Sequence, residues 1–223
     1  MSEYPGAFLT FEGIDGSGKT TQLALLATRL ESAGHSVVRA QEPGGTRVGR
    51  EIRGLLLDAA STDLRALPEL LLYFASRAQN VEEVIRPALQ SGRIVLADRF
   101  TDASIAYQGY GRGLGVETVE ALDRIACRRL KPDLTFLIDI DVETSVERAR
   151  RRNADAPVNE NRFEQESLEF HARVREGYLE ISRREPRRVI VIDGRRAPAE
   201  IAQEIWSLTE GLLAARKPSQ GAD

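Results

Sequence analysis

The sequence predicts a single doubly wound α/β domain in which helices surround a five-stranded parallel sheet. Three observations carry the prediction: five short apolar runs, helical-period segments between them, and a glycine-rich turn joining the first run to the first helix. The first strand is residues 7–12, Ala7-Phe8-Leu9-Thr10-Phe11-Glu12, ending at Gly13. From Lys19 onward Leu23, Leu26, Ala27 and Leu30 recur at three and four residues, the period of an amphipathic helix, which Gly34 ends. Residues 36–40 form the second strand, followed by a Pro43-Gly44-Gly45 turn.

A short helix follows over residues 47–57, with Val48, Ile52, Leu55 and Leu56 on its apolar side. A longer helical tract runs over 67–90, with Pro87 as the expected break. Ile94-Val95-Leu96-Ala97 is uninterruptedly apolar, as a parallel strand covered on both faces must be, and it delivers Asp98 to its end. Gly109, Gly111, Gly113 and Gly115 predict a flexible connection to a helix over 116–130, which Pro132 stops. Residues 134–138 are the fourth strand, and Asp141 is placed to cap the next helix. Residues 150–161 hold almost no apolar side chain and read as a mobile excursion, followed by helix through 182. Residues 189–192 are the fifth strand, residues 198–213 the closing helix, and residues 214–223 a flexible tail.

At 223 residues, 42% hydrophobic and 29% charged, the chain fits one large domain and is too apolar for wholesale disorder. One cysteine excludes an internal disulfide framework, and Cys127 reads as a packing residue. There is no leader pattern at the N-terminus and no long charge-free apolar window, so a cytoplasmic protein with no membrane partner is expected. A net charge of −3 gives no general attraction to nucleic acid. All but three of the 31 basic residues are arginine, which suits phosphate binding and also follows from a GC-rich genome, so position must carry the argument.

Gly13-Ile14-Asp15-Gly16-Ser17-Gly18-Lys19-Thr20 matches G-x-x-x-x-G-K-[ST], with a strand before and a helix after, and places the fold among P-loop NTPases. Backbone amides of such a turn point at phosphate oxygens, and the helix adds its positive end. Lys19 is expected to bridge the β and γ phosphates, and Thr20 to ligate Mg²⁺. No N-K-x-D guanine-reading segment is present, so a small phosphotransferase is favoured over a switch.

Asp98-Arg99 lies where ligands bind in open α/β sheets, with Asp98 suited to the metal or its water and Arg99 to an acceptor phosphate. Arg53 and Arg77 could converge with Arg99. Phe74 follows Leu70-Leu71-Leu72-Tyr73 and reads equally as core or as a base platform. Arg148, Arg150, Arg151, Arg152 and Arg162 surround the polar excursion, and closing it would bring cations onto a triphosphate. His35 and His171 read as surface or structural residues. On these grounds a kinase for another small acceptor and a nucleotide-dependent interaction protein remain alternatives.

Together the motifs resemble the bacterial thymidylate kinases of the nucleoside-monophosphate kinase family. They are the phosphate loop, Glu42-Pro43-Gly44-Gly45-Thr46, Arg53, Phe74-Ala75-Ser76-Arg77-Ala78-Gln79, Asp98-Arg99-Phe100, Ser104, Ala106-Tyr107-Gln108-Gly109 and Arg162-Phe163-Glu164-Gln165-Glu166. The resemblance spans essentially residues 7–213 and implies phosphorylation of dTMP to dTDP by ATP with Mg²⁺, for dTTP synthesis, by a homodimer. It implies that Gly13, Asp15, Gly16, Ser17, Gly18, Lys19, Thr20 and Thr21 bind the ATP phosphates with Arg148, Arg150, Arg151 and Arg152. On the acceptor side it implies Phe74 stacked on thymine and Arg77 on a base carbonyl, with Ser104 and Gln108 completing the pocket. Arg53 and Arg99 would hold the acceptor phosphate, and Asp15 would approach the 3′-hydroxyl. Tyr107 would oppose a 2′-hydroxyl, Pro43 would line the site, and Glu42 and Asp98 would organise the metal beside Thr20.

The phosphate loop holds no extra basic residue, so the chain resembles the form whose catalytic arginine comes from a lid at about 148–162. Arg150 is the first candidate, beside Lys19, Asp15 and Arg99 as catalytic residues. Gln41 stands where many relatives have Arg, Ser104 where many have Thr, and the lid is slightly long.

Overall fold

Five strands form one parallel sheet: β1 (Phe8–Glu12), β2 (Val37–Gln41), β3 (Ile94–Asp98), β4 (Leu134–Asp139) and β5 (Val189–Asp193), in the order β2-β3-β1-β4-β5. This computed structural model describes residues 4–154 and 162–216, with the side chains of residues 150, 152–154 and 164 outside that description. The expected fold class holds, and each strand lies within a residue or two of its apolar run.

The helices are α1 (Lys19–Ser32), α2 (Arg47–Leu57), α3 (Ala66–Asn80), α4 (Arg86–Gln90), α5 (Thr101–Ser104), α6 (Val116–Ala126), α7 (Val142–Ala154), α8 (Leu168–Arg184) and α9 (Pro198–Arg216). Strand alternation sends Leu9, Phe11, Leu96 and Ile138 to one face, against Leu23, Leu26 and Leu30 of α1 and Ile201 and Ile205 of α9. Phe8, Val95 and Ala97 meet Leu70 of α3, Val81, Leu89 of α4 and Val119 of α6 on the other face.

Register brings the chemistry to one edge. Phe11 pairs beside Asp98, and Gln41 pairs beside Asp98 from the other side. The chain therefore leaves β1, β2 and β3 at the same carboxyl edge, releasing Gly13, Glu42 and Arg99 together.

Four local expectations change. Pro87 does not break the long tract: it occupies the first turn of α4, where its missing N–H costs nothing, and the irregularity is a π-helical turn over Val81–Ile85. The glycine-rich stretch is not a flexible link. Residues Ile105–Gly111 continue α5 as a π-helix, and a Cβ at Gly111 would fall 2.8 Å from Phe170 and Val174 side-chain atoms. Glycine there permits close packing of α8. Helix α7 continues to Ala154, helped by an Arg151–Glu147 pair at 2.6 Å, so the expected excursion does not begin at Arg150; its residues 155–161 lie outside the described residues. Residues 214–216 are helical rather than tail, because Arg216 bonds the Gly6 carbonyl and Asp133; residues 217–223 lie outside the described residues.

One buried polar network crosses the sheet. Thr10 and Thr135 share a hydroxyl contact of 2.7 Å, and Asp102 accepts from Thr135 and from both terminal nitrogens of Arg188. This explains two threonines in otherwise apolar strands.

Candidate active site

Gly13, Gly16 and Gly18 all take positive φ, so the chain between β1 and α1 curls without Cβ strain. A Cβ at Gly16 would fall 2.4 Å from the Ser145 carbonyl and 3.1 Å from Arg148 Cβ. The Ser145 hydroxyl bonds the Asp15 carbonyl, which fastens α7 against the turn. Lys19, in the first turn of α1 and only 6% exposed, donates to the Ile14 carbonyl at 3.0 Å. Burial first, then the Arg99 charge, pulls its ammonium down to about 8. Asp15, Asp98 and Glu12 oppose the fall, and a triphosphate would add further counter-charge.

Arg99 follows β3 with φ 72°, a left-handed conformation unusual for a non-glycine residue. Its Nη1 donates to the Gly13 carbonyl at 3.1 Å, and its Nη2 donates to Asp15 Oδ1 at 2.8 Å and to the Tyr107 hydroxyl at 3.2 Å. The Tyr107 hydroxyl also donates to Asp15 Oδ2 at 3.3 Å. Asp98 accepts from Thr20 Oγ1 at 2.7 Å. That hydroxyl and carboxylate, both oxygen donors at the mouth of the phosphate turn, fit a hard cation such as Mg²⁺.

The acceptor side has a buried ionic floor. Glu42 and Arg77 are 4% and 1% exposed; Arg77 Nε donates to Glu42 Oε2, and Asn80 donates to Glu42 Oε1 at 3.3 Å. Desolvation raises the Glu42 carboxyl above its ordinary range while Arg77 opposes the rise. Both oxygens of Glu42 thus accept from protein donors and orient Arg77, and each keeps a lone pair for the expected metal. Among the described residues, Arg77 Nη1 and the buried Ser104 hydroxyl have no hydrogen-bond partner. Phe74, 4% exposed, packs in the core with Leu70 and Val81 and lies 4.8 Å from the Arg77 guanidinium. Gln108, itself buried, donates to Glu69 at 2.9 Å. Arg53 donates to the Pro43 carbonyl at 3.0 Å, holding the turn after β2.

The lid arginines separate. Arg148 is exposed and its Cβ stands beside Gly16, whereas Arg151 is held outward by Glu147. The side chains of Arg150 and Arg152 fall outside the described residues. Arg162 is not available to a triphosphate here: it is 7% exposed, bonded to the Leu56 carbonyl and paired with Glu69 at 2.8 Å.

A family model described as thymidylate kinase matches residues 11–205. The chain belongs to the thymidylate kinase family. Thymidylate kinase of Pelobacter propionicus is 55% identical over 90% of this chain and 92% of that protein. That of Desulfovibrio desulfuricans is 46% identical over 97% of this chain and all of that protein. A crystal structure of thymidylate kinase from Ehrlichia chaffeensis matches with TM-score 0.74 at 35% identity, covering 92% of this chain and 98% of that one. No helix among the described residues is long and apolar enough to cross a membrane.

Three residues of this thymidylate kinase-family site are missed by motif reading. Glu69, fully buried, gathers Gln108 and Arg112 from the π-helical turn and its end, and Arg162 from a distant segment. Tyr178 comes from α8. Glu12, fully buried at the end of β1, looks like the last residue of a strand; the only hint was a carboxylate in an apolar run. Burial, then Asp102, push its carboxyl from 4.5 up to about 7, against Arg99, Tyr178 and the Phe100 amide. Because the folded value lies above the unfolded one, this group stabilises fully below about 4.5, and the contribution is lost as pH rises through about 7. The thermal midpoint of Glu12→Gln should therefore fall less than that of the wild type between roughly pH 5 and 8. Parallel midpoint–pH curves for the two proteins would contradict this assignment.

Proposed function

We propose that this cleft transfers the γ-phosphoryl group of ATP to dTMP, giving dTDP and ADP, as the family name implies. The observation that carries the reading is the direct seat of Arg99 on the phosphate turn, 3.1 Å from the Gly13 carbonyl and 2.8 Å from Asp15. An anion held by Arg99 lies against the loop that holds the donor, so transfer needs no intermediate carrier.

In this mechanism an acceptor phosphate oxygen attacks the γ-phosphorus in line, and the bond to the β–γ bridging oxygen breaks to leave ADP. The nucleophile is anionic already, so no general base is required. Amides of residues 13–21, including Ser17 and Thr21, cradle the donor, and Lys19 neutralises charge on the moving group. Mg²⁺ held by Thr20 and Asp98 would add charge neutralisation on the donor phosphates. Arg99 and Arg53 hold the acceptor phosphate. Asp15 and Tyr107, already in mutual contact, flank the sugar. Arg77 Nη1 and the Ser104 hydroxyl, both buried and unpartnered among the described residues, meet the polar edge of thymine beside Phe74 and Gln108. Burying two unsatisfied groups costs about 1–3 kcal/mol each, which a base with complementary edges would remove.

Arg150 is the first lid arginine of the proposal, with Arg148 nearest the loop, and Arg151 and Arg152 in support. Arg150→Ala should lower kcat by about a hundredfold or more while changing the dTMP KM little, since its contact strengthens as the phosphoryl moves. A change confined to the dTMP KM would remove Arg150 from that role. A coupled ATP-consumption assay comparing dTMP, dUMP, ribosyl-TMP, dCMP, AMP and GMP, with direct detection of the diphosphate, tests the function; equal kcat/KM for AMP or GMP would overturn it. A cytoplasmic homodimer completes the reading. Leu67 and Leu71, one turn apart on α3, and Ile125 on α6 are exposed apolar side chains that support it, and sedimentation equilibrium checks the oligomer.

A further inference from the structure

We infer that Tyr178 and Glu12 are positioning residues that hold Arg99 in the geometry needed to bind the acceptor phosphate. This rests on the reading of Arg99 as the phosphate ligand of dTMP.

Arg99 sits in a left-handed backbone conformation, φ 72°, that is unusual for a non-glycine residue. Glu12 supports it. Its Oε1 accepts the backbone N–H of Phe100 at 2.7 Å, which pins the residue immediately after Arg99. Its Oε2 accepts from the Tyr178 hydroxyl at 2.8 Å. That hydroxyl in turn accepts from Arg99 Nη1 at 2.9 Å. One buried carboxylate therefore fixes the backbone of Arg99 from one oxygen and the guanidinium from the other. Both groups spend their hydrogen bonds on protein partners, Glu12 on Phe100 and Tyr178, and Tyr178 on Glu12 and Arg99, so they act through Arg99.

The direction of the bonds matters. A phenol hydroxyl has one proton, and Glu12 takes it, so the oxygen must face Arg99 as an acceptor. The guanidinium is thereby turned with Nη1 toward Tyr178 and Gly13 and Nη2 toward Asp15 and Tyr107. These four bonds fix the plane of the guanidinium rather than leaving a swinging charge, and they leave its Nε–H and its fixed positive charge for a phosphate. Tyr178 also belongs to a ring cluster about Tyr107, with ring centroids 6.3 Å apart, which fixes its own side chain.

Tyr178→Phe removes only the hydroxyl and keeps the ring packing. Calorimetric titration with dTMP and with thymidine, the same base and sugar without phosphate, separates positioning from general damage. Tyr178→Phe should weaken dTMP binding by about tenfold, the scale of one hydrogen bond to a charged group, and leave thymidine binding unchanged. In an Arg99→Met background the same substitution should have no further effect on dTMP. Equal losses for dTMP and thymidine, no loss for dTMP, or additive losses in the double variant would each overturn the inference. If Tyr178→Phe is too unstable to titrate, Glu12→Gln takes its place, with the same selective loss expected and an equal loss overturning. The underlying reading fails separately: wild-type protein would then bind dTMP no more tightly than thymidine, or Arg99→Met would retain the difference.

Discussion

Lys19→Met should lower kcat by about a thousandfold with the fold intact, the scale seen when a preorganised donor to developing charge is removed. The structure explains why the two effects separate. The ammonium is desolvated, and its one protein acceptor is the Ile14 carbonyl at 3.0 Å. Its charge is disfavoured in the ligand-free protein, since burial and Arg99 pull it down to about 8. Replacing it with an apolar side chain of similar length leaves no buried counter-ion stranded, so the thermal midpoint should hold or rise. Only the phosphates lose a partner. Rapid-quench measurement of dTDP formation, alongside the midpoint, checks both halves. A near-normal kcat would remove the loop from the chemistry.

Arg77→Met should have the opposite profile, a large loss of stability together with loss of dTMP capture. Arg77 and Glu42 form an ion pair at 1% and 2% side-chain exposure, and removing one member of such a pair costs about 3–5 kcal/mol. For a domain of this size that is a fall of roughly 10 °C in the midpoint. Arg77→Met combined with Glu42→Gln should recover most of the stability, because no uncompensated charge remains, but not dTMP affinity, because Nη1 is gone. If the double variant regained dTMP binding, the pair would be scaffold alone. Scanning calorimetry and dTMP titration on the same samples decide between the two.

The contrast between these cations shows how far the sequence can be read. Lys19 was assigned from eight consecutive residues, and the flanking strand and helix stand where those residues required. Arg77 was equally visible as a residue but not as half of a pair, since Glu42 lies 35 positions away and reaches it across the turn after β2. Glu42 reads as a metal ligand in the sequence, and only the fold shows that its oxygens also hold Arg77 and Asn80. Arg162 looked like a lid cation for the same reason: a run of basic residues carries no sign of the one that will turn inward to Glu69. Gly111 reads as part of a flexible link because a sequence shows the missing side chain, not the Phe170 ring packed against it.

What the sequence by itself determined is local: five strands from five apolar runs, helices from their period, and a phosphate turn from the spacing of Gly13, Gly18 and Lys19. Each depends on neighbours a few residues apart, where backbone sterics and burial of one face are enough. Only the tertiary structure decided which charges meet. Glu12 and Tyr178 are 166 residues apart and Arg188 and Asp102 are 86, and nothing in their local patterns distinguishes them from a strand end, a core aromatic or a surface pair. The parallel sheet brings them together because every crossover returns the chain to the same edge, and burial then requires each desolvated polar group to find a partner from a distant segment.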